Sequence, residues 1–531
     1  MADLLASIEA LDGRVEAHKP PADKAPQGMQ APRRAVPKWA LIAGAVLLAL
    51  VAIGLFVGLV LNDARKSSVV HTVAIAPASP SPTAQSLARD LFAKLGNLHS
   101  ARAEALKLVQ GSPDKADFLF EVDGSNQGPD TSANLVLLGE DRELLWSKDF
   151  PQTGQGDLKQ QLAFTAAKVL ECAVEAVASE GSRLQAETLK LYLNGCSTYS
   201  LLTAADPRPL VPIFRAVIER APRFEGAWAK LIHAEAEIAT SGDWQQDADR
   251  MMPQLLRDLA KARELNPDMA EVLLAQADMT PAGAIAERMA LIERAVERNP
   301  ESSTALVAYA MALTKVGHAY AAVEKAKRAA QLDPLSPSTR DAVITSLTYN
   351  GELEAALEEL QRSEQLWPGA SNLLAARYRI HLRYGDPDEA KRIQRMGDYG
   401  GPHRDAFLEA RLDPTPAKIE KAISFPRTWL KSFPQAIGEL AQVLGEFGRE
   451  EDLFAIMLDR RHEIDADGFM DVLFRPALKK FRMDPRMMVV SKRLGLLDYW
   501  RNSGKWPDFC NDPALTYDCK AEAAKLMSRP N

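Results

Sequence analysis

Proline recurs at a near-constant interval through the middle of the chain. Pro222, Pro267, Pro300, Pro334, Pro368 and Pro402 close the strings "RAP", "ELNP", "ERNP", "AQLDP", "EQLWP" and "GGP", with successive gaps of 45, 33, 34, 34 and 34 residues. Proline breaks a helix interior but suits a helix start. A period of about 34 residues therefore marks a unit of two antiparallel helices and a turn. Small residues keep step: Ala310, Gly317, Ala322 and Ala329 in one unit, Gly351 and Ala356 in the next, Gly385 and Ala390 after that. They let the two helices of a unit approach closely. A lone helix pair cannot cover its own apolar face, so such units stack into a continuous array. The 45-residue gap has room for about eleven extra residues, "TSGDWQQDADR", between its helices.

This spacing and these small residues resemble the tetratricopeptide repeat over roughly residues 187–402. A degenerate continuation runs through "FPQAIGELAQVLGEFGREEDLFAIMLDRR", which gives a repeat region of 185–470. The resemblance implies a right-handed helical solenoid with a concave surface lined by the first helix (helix A) of each unit. In that register Lys315, Asp341, Tyr349, Asn372, Arg379 and Arg383 face the groove as candidate partner-binding residues, with Arg379 and Arg383 placed to hold a carboxylate or acidic segment. The alternative is that they are ordinary solvated side chains.

Residues 40–61 form an uncharged, mostly apolar run. As a helix it is about 33 Å long, against a hydrocarbon core of about 30 Å. Lys38 and Trp39 flank it, and residues 39–62 are expected to be a single transmembrane helix. A cleaved signal peptide would have a shorter run and a small-residue cleavage site, where "NDARK" follows instead. Lys19, Lys24, Arg33, Arg34 and Lys38 precede the run and only Arg65 and Lys66 follow closely. That bias puts the N-terminus in the cytoplasm and the rest in the periplasm of a bacterial inner membrane. Gly54 and Gly58 form a GxxxG pair of the kind that joins two such helices in a homodimer, although the spacing also recurs without pairing. Residues 1–38 are a tail and Pro-rich linker. Leu4, Leu5, Ile8, Leu11 and Val15 give its start a helical period, either a partner-binding helix or a frayed end.

Residues 69–180 alternate. "HTVAIAP" reads as a strand and "TAQSLARDLFAKLG" as a helix. "ADFLFEVDGS", "SANLVLLGE" and "ELLWSKDF" read as three more strands, and "DLKQQLAFTAAKVLECAVEAVA" as a closing helix. "VAIAP" and "ELLWS" in this order resemble the TolB-type N-terminal domain, which implies an α/β sandwich and transfers no binding residue. The fold class expected is mainly α: one transmembrane helix, a small α/β domain, then a helical solenoid. The C-terminal string "LFRPALKKFRMDPRMMVVSKRLGLLDYWRNSGKWPDFC" is similar to the ends of CadC-like regulators and cyclase-linked repeat proteins. Their cytoplasmic effector domain has no counterpart in 38 residues.

Chemistry is sparse. A net charge of -7 leaves no basic excess to neutralise phosphates, so no nucleic-acid partner is expected. "HEIDADGF" resembles a calcium loop with Glu463, Asp465 and Asp467 at ligand positions, but Phe474 stands where the bidentate carboxylate belongs. "HRD" at 403–405 lacks the other kinase motifs, and His233 in "HAEAE" lacks a second histidine at zincin spacing. No catalytic residue, cofactor or metal is assigned.

The four cysteines are Cys172, Cys196, Cys510 and Cys519. An oxidising space favours disulfides over zinc, for which no CxxC or nearby histidine exists. Four cysteines allow three connectivities. The nearest-neighbour choice joins Cys172 to Cys196 and Cys510 to Cys519, worth about 3.5 and about 3 kcal/mol by loop entropy. The second bond would clasp a C-terminal cap, residues 471–531, whose Tyr499, Trp500, Trp506 and Phe509 cover the last apolar face of the solenoid. The expected function is a non-enzymatic scaffold or adaptor with a protein partner. The alternatives are a sensory subunit acting through a membrane partner, or an enzyme.

Overall fold

The computed structural model describes residues 70–528, apart from 101–105, 114, 128–129, 152–157, 179–183, 203–205, 241–244, 282, 397–398 and 460–465. The chain separates into residues 1–68 and a compact unit over 69–531. Only the second is described.

Five strands and two helices open this unit: β1 (His71–Pro77), α1 (Pro82–Ser100), β2 (Leu106–Gln110), β3 (Phe118–Gln127), β4 (Asp130–Leu138), β5 (Leu144–Phe150) and α2 (Leu158–Ala178). The sheet order is β2-β1-β3-β4-β5. β1 runs parallel to both β2 and β3, and β3, β4 and β5 form an antiparallel meander. Alternate residues of a strand face opposite sides. Thus Val73 and Ile75 join Phe118, Phe120 and Val122 in a core shared with α1 and α2, while Ala74 and Ala76 meet Leu119 on the other face.

Helices follow in pairs: α3 (Ala186–Leu202) and α4 (Leu210–Arg220), α5 (Glu225–Thr240) and α6 (Gln245–Leu265), α7 (Ala270–Met279) and α8 (Ile285–Arg298). Then come α9 (Ser303–Lys315) and α10 (Ala319–Leu332), α11 (Pro337–Tyr349) and α12 (Leu353–Leu366), α13 (Ser371–Arg383) and α14 (Pro387–Gln394). The last pairs are α15 (Pro402–Leu412) with α16 (Pro416–Trp429), and α17 (Ile437–Glu446) with α18 (Glu450–Leu458). From Pro222 to Pro368 each helix A starts three residues after its proline, at Glu225, Ala270, Ser303, Pro337 and Ser371. Pro402 instead occupies the first position of α15, where its missing N–H is not needed. α9 is further fixed by Ser302, whose hydroxyl accepts the Ala305 N–H at 3.2 Å. Helix A packs on helix A along α5, α7, α9, α11 and α13, and each contacts its own second helix. Ala310, Ala322, Ala326 and Ala329 are fully buried between paired helices, the close approach that the small residues permit. Most of the extra residues of the long unit do not form a loop: "QQDADR" is the start of the long helix α6.

Two large apolar cores result among the described residues. One runs from the sheet through α2 and α3 to the first repeats, with Tyr192 edge-on to Phe224 at 4.8 Å. Cys172 and Cys196 are bonded within it, tying α2 to α3 with Cα atoms 6.6 Å apart. The other extends from Ala270 to Ala523 and joins the later repeats to the C-terminal segment.

The expected transmembrane helix is corrected. No helix of the described residues is long and apolar enough to cross a membrane. The longest, α2 and α6, are amphipathic and carry charges such as Lys168 and Glu171 or Asp247 and Arg257. Residues 39–62, including Gly54 and Gly58, lie outside the described residues. The architecture is mainly helical with a small five-stranded sheet, and the single-pass inner-membrane and periplasmic placement that rested on that segment is set aside.

Candidate functional site: the helix A face and the arm laid on it

Beyond α18 the chain breaks into short helices: α19 (Ala466–Leu473), α20 (Lys479–Arg482), α21 (Arg486–Arg493), α22 (Leu496–Ser503) and α23 (Cys519–Met527). The early part covers the end of the array. Phe481 stacks on Phe454 of α18 at 4.0 Å, and the Arg486 guanidinium lies 4.1 Å from the same ring. The later part does something the expected cap would not do: it folds back onto the middle of the array.

Four contacts fix this arm. Trp500 is fully buried and its indole N–H donates to the Val316 carbonyl at 3.0 Å. The Asp508 backbone N–H donates to the Gly317 carbonyl at 2.9 Å, and Asp508 Oδ2 accepts the Tyr320 N–H at 3.1 Å. Lys505 Nζ lies 2.5 Å from Glu293 Oε1 of α8. Phe474, Trp500 and Phe509 form an aromatic cluster over the turn between α9 and α10, with centroids 6.2–6.4 Å apart. Gly317 makes that fit possible. Its φ is +86°, and a Cβ there would stand 2.7 Å from Phe474 and from Pro507. Gly351, at the same point of the next repeat, has φ +82° and open space around it. Cys510 and Cys519 are bonded, with Cα atoms 5.8 Å apart, and close the loop that carries Phe509 to α23.

The six groove residues are therefore placed differently from one another. Tyr349 in α11 donates to Asp471 Oδ1 at 3.2 Å and accepts from Arg475 Nε at 3.1 Å, both on the arm side. Arg475 is itself buried and ion-paired to Asp471. Burial alone would lower its pKa, but the Tyr349 and Asp471 charges raise it. Arg379 pairs with Asp341 at 2.5 Å, and Thr345 shares the contact. Burial nevertheless raises the Asp341 carboxyl above the ordinary range. Lys315 is half-buried in the last turn of α9, and its charge acts on Asp278 and Asp471. Asn372 is half-buried with an unpartnered amide nitrogen. Arg383 makes no hydrogen bond or ion pair with a described residue, and burial and the Arg475 charge lower its pKa. Sequence reading had no means of finding Arg475, Asp471 or Asp508 as partners of this face. Their signal is only a charged or aromatic residue in a tail far from the repeats.

A second polar cluster lies under the first repeats. Arg215 Nη2 reaches Glu235 at 2.5 Å and Asp258 at 2.6 Å, and Gln254 Nε2 donates to Glu235 at 2.9 Å. Glu235 is fully buried, and burial together with the Asp258 charge raises its pKa. Among the described residues no group of three or more His, Cys, Asp or Glu side chains is arranged to hold a metal ion.

No protein-family model matches the chain, and no curated protein does. Among solved structures it is similar to a chain of "Structure of Naa15/Naa10 bound to HypK-THB", at 13% identity over 64% of this chain with a TM-score of 0.21. This chain spans about half of that chain, 54% of its length.

Proposed function

We propose that this protein is a non-enzymatic scaffold that binds a protein partner on the helix A face of its repeat array. The observation that carries the reading is that the rim of this face, the α9–α10 turn and the end of α11, already receives a polypeptide, the chain's own C-terminal segment. It does so by the means a repeat array offers to any extended segment: free turn carbonyls at Val316 and Gly317, an aromatic socket, and polar side chains such as Tyr349. Beyond the arm, α13 presents Asn372 and Arg379 on the same face. The arm and a partner share one surface, so the arm sets how much of the face a partner meets. The sheet domain is read as a support joined to the array by a common core and the Cys172–Cys196 bond. The displaced Glu235 carboxyl, held by Arg215 and Gln254, is read as structural.

The test is photo-crosslinking from the full chain in its native host, with the reactive residue placed in turn at Lys315, Asn372, Arg379 and, as control, Lys107 on β2. Capture of one protein from α9 or α13 and not from Lys107 supports the scaffold. Capture from Lys107 alone, with nothing from the helix A positions, refutes it.

A further inference from the structure

Between α11, α13 and the arm lies a cavity of about 20 Å³ bordered by Thr345, Tyr349, Arg379, Arg383, Tyr384 and Arg475. Its chemistry is one-sided. Three guanidinium groups converge there, and two have carboxylates of their own: Asp341 for Arg379 and Asp471 for Arg475. Arg383 has none among the described residues. Glu439 contributes charge to its surroundings without pairing with it. The Tyr384 hydroxyl is buried with no hydrogen-bond partner among the described residues. So is Nε2 of Gln442, whose Oε1 accepts Arg475 Nη1 at 3.4 Å.

The half-buried Arg383 guanidinium and the Tyr384 hydroxyl border the cavity as donors left over, while Gln442 touches it only through its bond to Arg475. An unmatched buried charge is costly, and unmade buried hydrogen bonds add to that cost. The group that would satisfy both is an acceptor carrying negative charge. Size narrows it further, because the cavity has room for about one or two water-sized atoms. That space suits a halide or the head of a small carboxylate better than a tetrahedral sulfate or phosphate.

We propose that this cavity is a binding site for one small monovalent anion, of halide or carboxylate chemistry, held by Arg383 and Tyr384 on the repeat side and by Arg475 on the arm side. Arg475 follows α19 in the C-terminal segment and Arg383 ends α13, so the anion bridges that segment and the repeats. The site stands on this donor set and does not depend on the scaffold reading.

The test uses the full chain in sulfate buffer at constant ionic strength, titrated with sodium chloride and followed by ³⁵Cl line broadening and by melting temperature. The wild type should show saturable broadening and a melting temperature that rises with chloride. Formate should compete the broadening away if carboxylates enter the same site, and should leave it intact if the site takes halide alone; both agree with a small-anion site. Competition by sulfate at equal concentration contradicts it. Arg383→Gln should abolish both responses. It should also melt no lower than the wild type in chloride-free buffer, because it removes a charge with no counter-ion. Tyr384→Phe, which keeps the packing, should weaken chloride binding about tenfold. Equal broadening and equal melting shifts in wild type and Arg383→Gln would overturn the assignment.

Discussion

Removing the Trp500 side chain should release the arm from the array. The ring is fully buried against Phe474 and Phe509, and its N–H is bonded to the Val316 carbonyl at 3.0 Å. Trp→Ala at such a site costs about 3–5 kcal/mol, through lost apolar burial and the cavity left behind. Trp500→Phe keeps most of the ring but orphans that carbonyl, for about 1–3 kcal/mol. The loss is local, so its clearest reporters are two amides that the docked arm alone protects. These are the Asp508 N–H on Gly317 and the Tyr320 N–H on Asp508. At 1.4 kcal/mol per tenfold, Trp500→Ala should speed their exchange by about 150- to 4,000-fold and Trp500→Phe by about 5- to 150-fold. Exchange in β3, within the other core, should be unchanged. Acceleration below about threefold at both amides would refute the docking, because a burial loss of this size cannot leave the contacts it supports intact.

Further outcomes follow from other parts of the structure. Cys510→Ser, or reduction of the Cys510–Cys519 bond, should lower arm stability by about 3 kcal/mol on the loop-entropy estimate, seen as faster exchange at the same amides. Gly317→Ala should be more damaging than Gly351→Ala in urea unfolding, by about 1–3 kcal/mol. Both glycines have positive φ, but only Gly317 has Phe474 and Pro507 against its Cα. Glu235 has a folded-state pKa raised above its unfolded value, so the folded chain holds the extra proton. Stability from this group is therefore present below the ordinary glutamate pKa and declines as pH rises through the folded one. Glu235→Gln removes that decline, so the wild-type-minus-variant difference of unfolding free energy should fall as pH rises. A difference that grows with pH would contradict the sign.

The repeat array was legible because its signals are local. A proline that cannot extend one helix and a short turn before the next fix each boundary within a few residues, as at Pro300 before Ser303. The strands β1, β3, β4 and β5 showed in the same way, by runs of β-branched and apolar residues. β2 did not, because "LKLVQ" is short, half polar and needed only at the edge. The course of the arm was illegible for a different reason. Its aromatic residues announce burial but not where, and the groups that Trp500, Asp508 and Lys505 meet lie 184, 188 and 212 residues away in sequence. The same limit hid the status of the groove. Helical register places Tyr349, Arg379 and Arg383 on one face, yet only the fold shows that the arm engages Tyr349, that Asp341 neutralises Arg379 and that Arg383 is left without a counter-ion.

The docking of the arm on the array is most directly tested by zero-length carbodiimide crosslinking of the native chain, read by peptide mass spectrometry. Lys505 and Glu293 stand 2.5 Å apart as an ion pair between the arm and α8. Lys421 and Glu409, 3.0 Å apart and exposed, provide the internal standard. The docked arm predicts a Lys505–Glu293 crosslink at a yield comparable with Lys421–Glu409. A full yield of the standard with no Lys505–Glu293 product would contradict it.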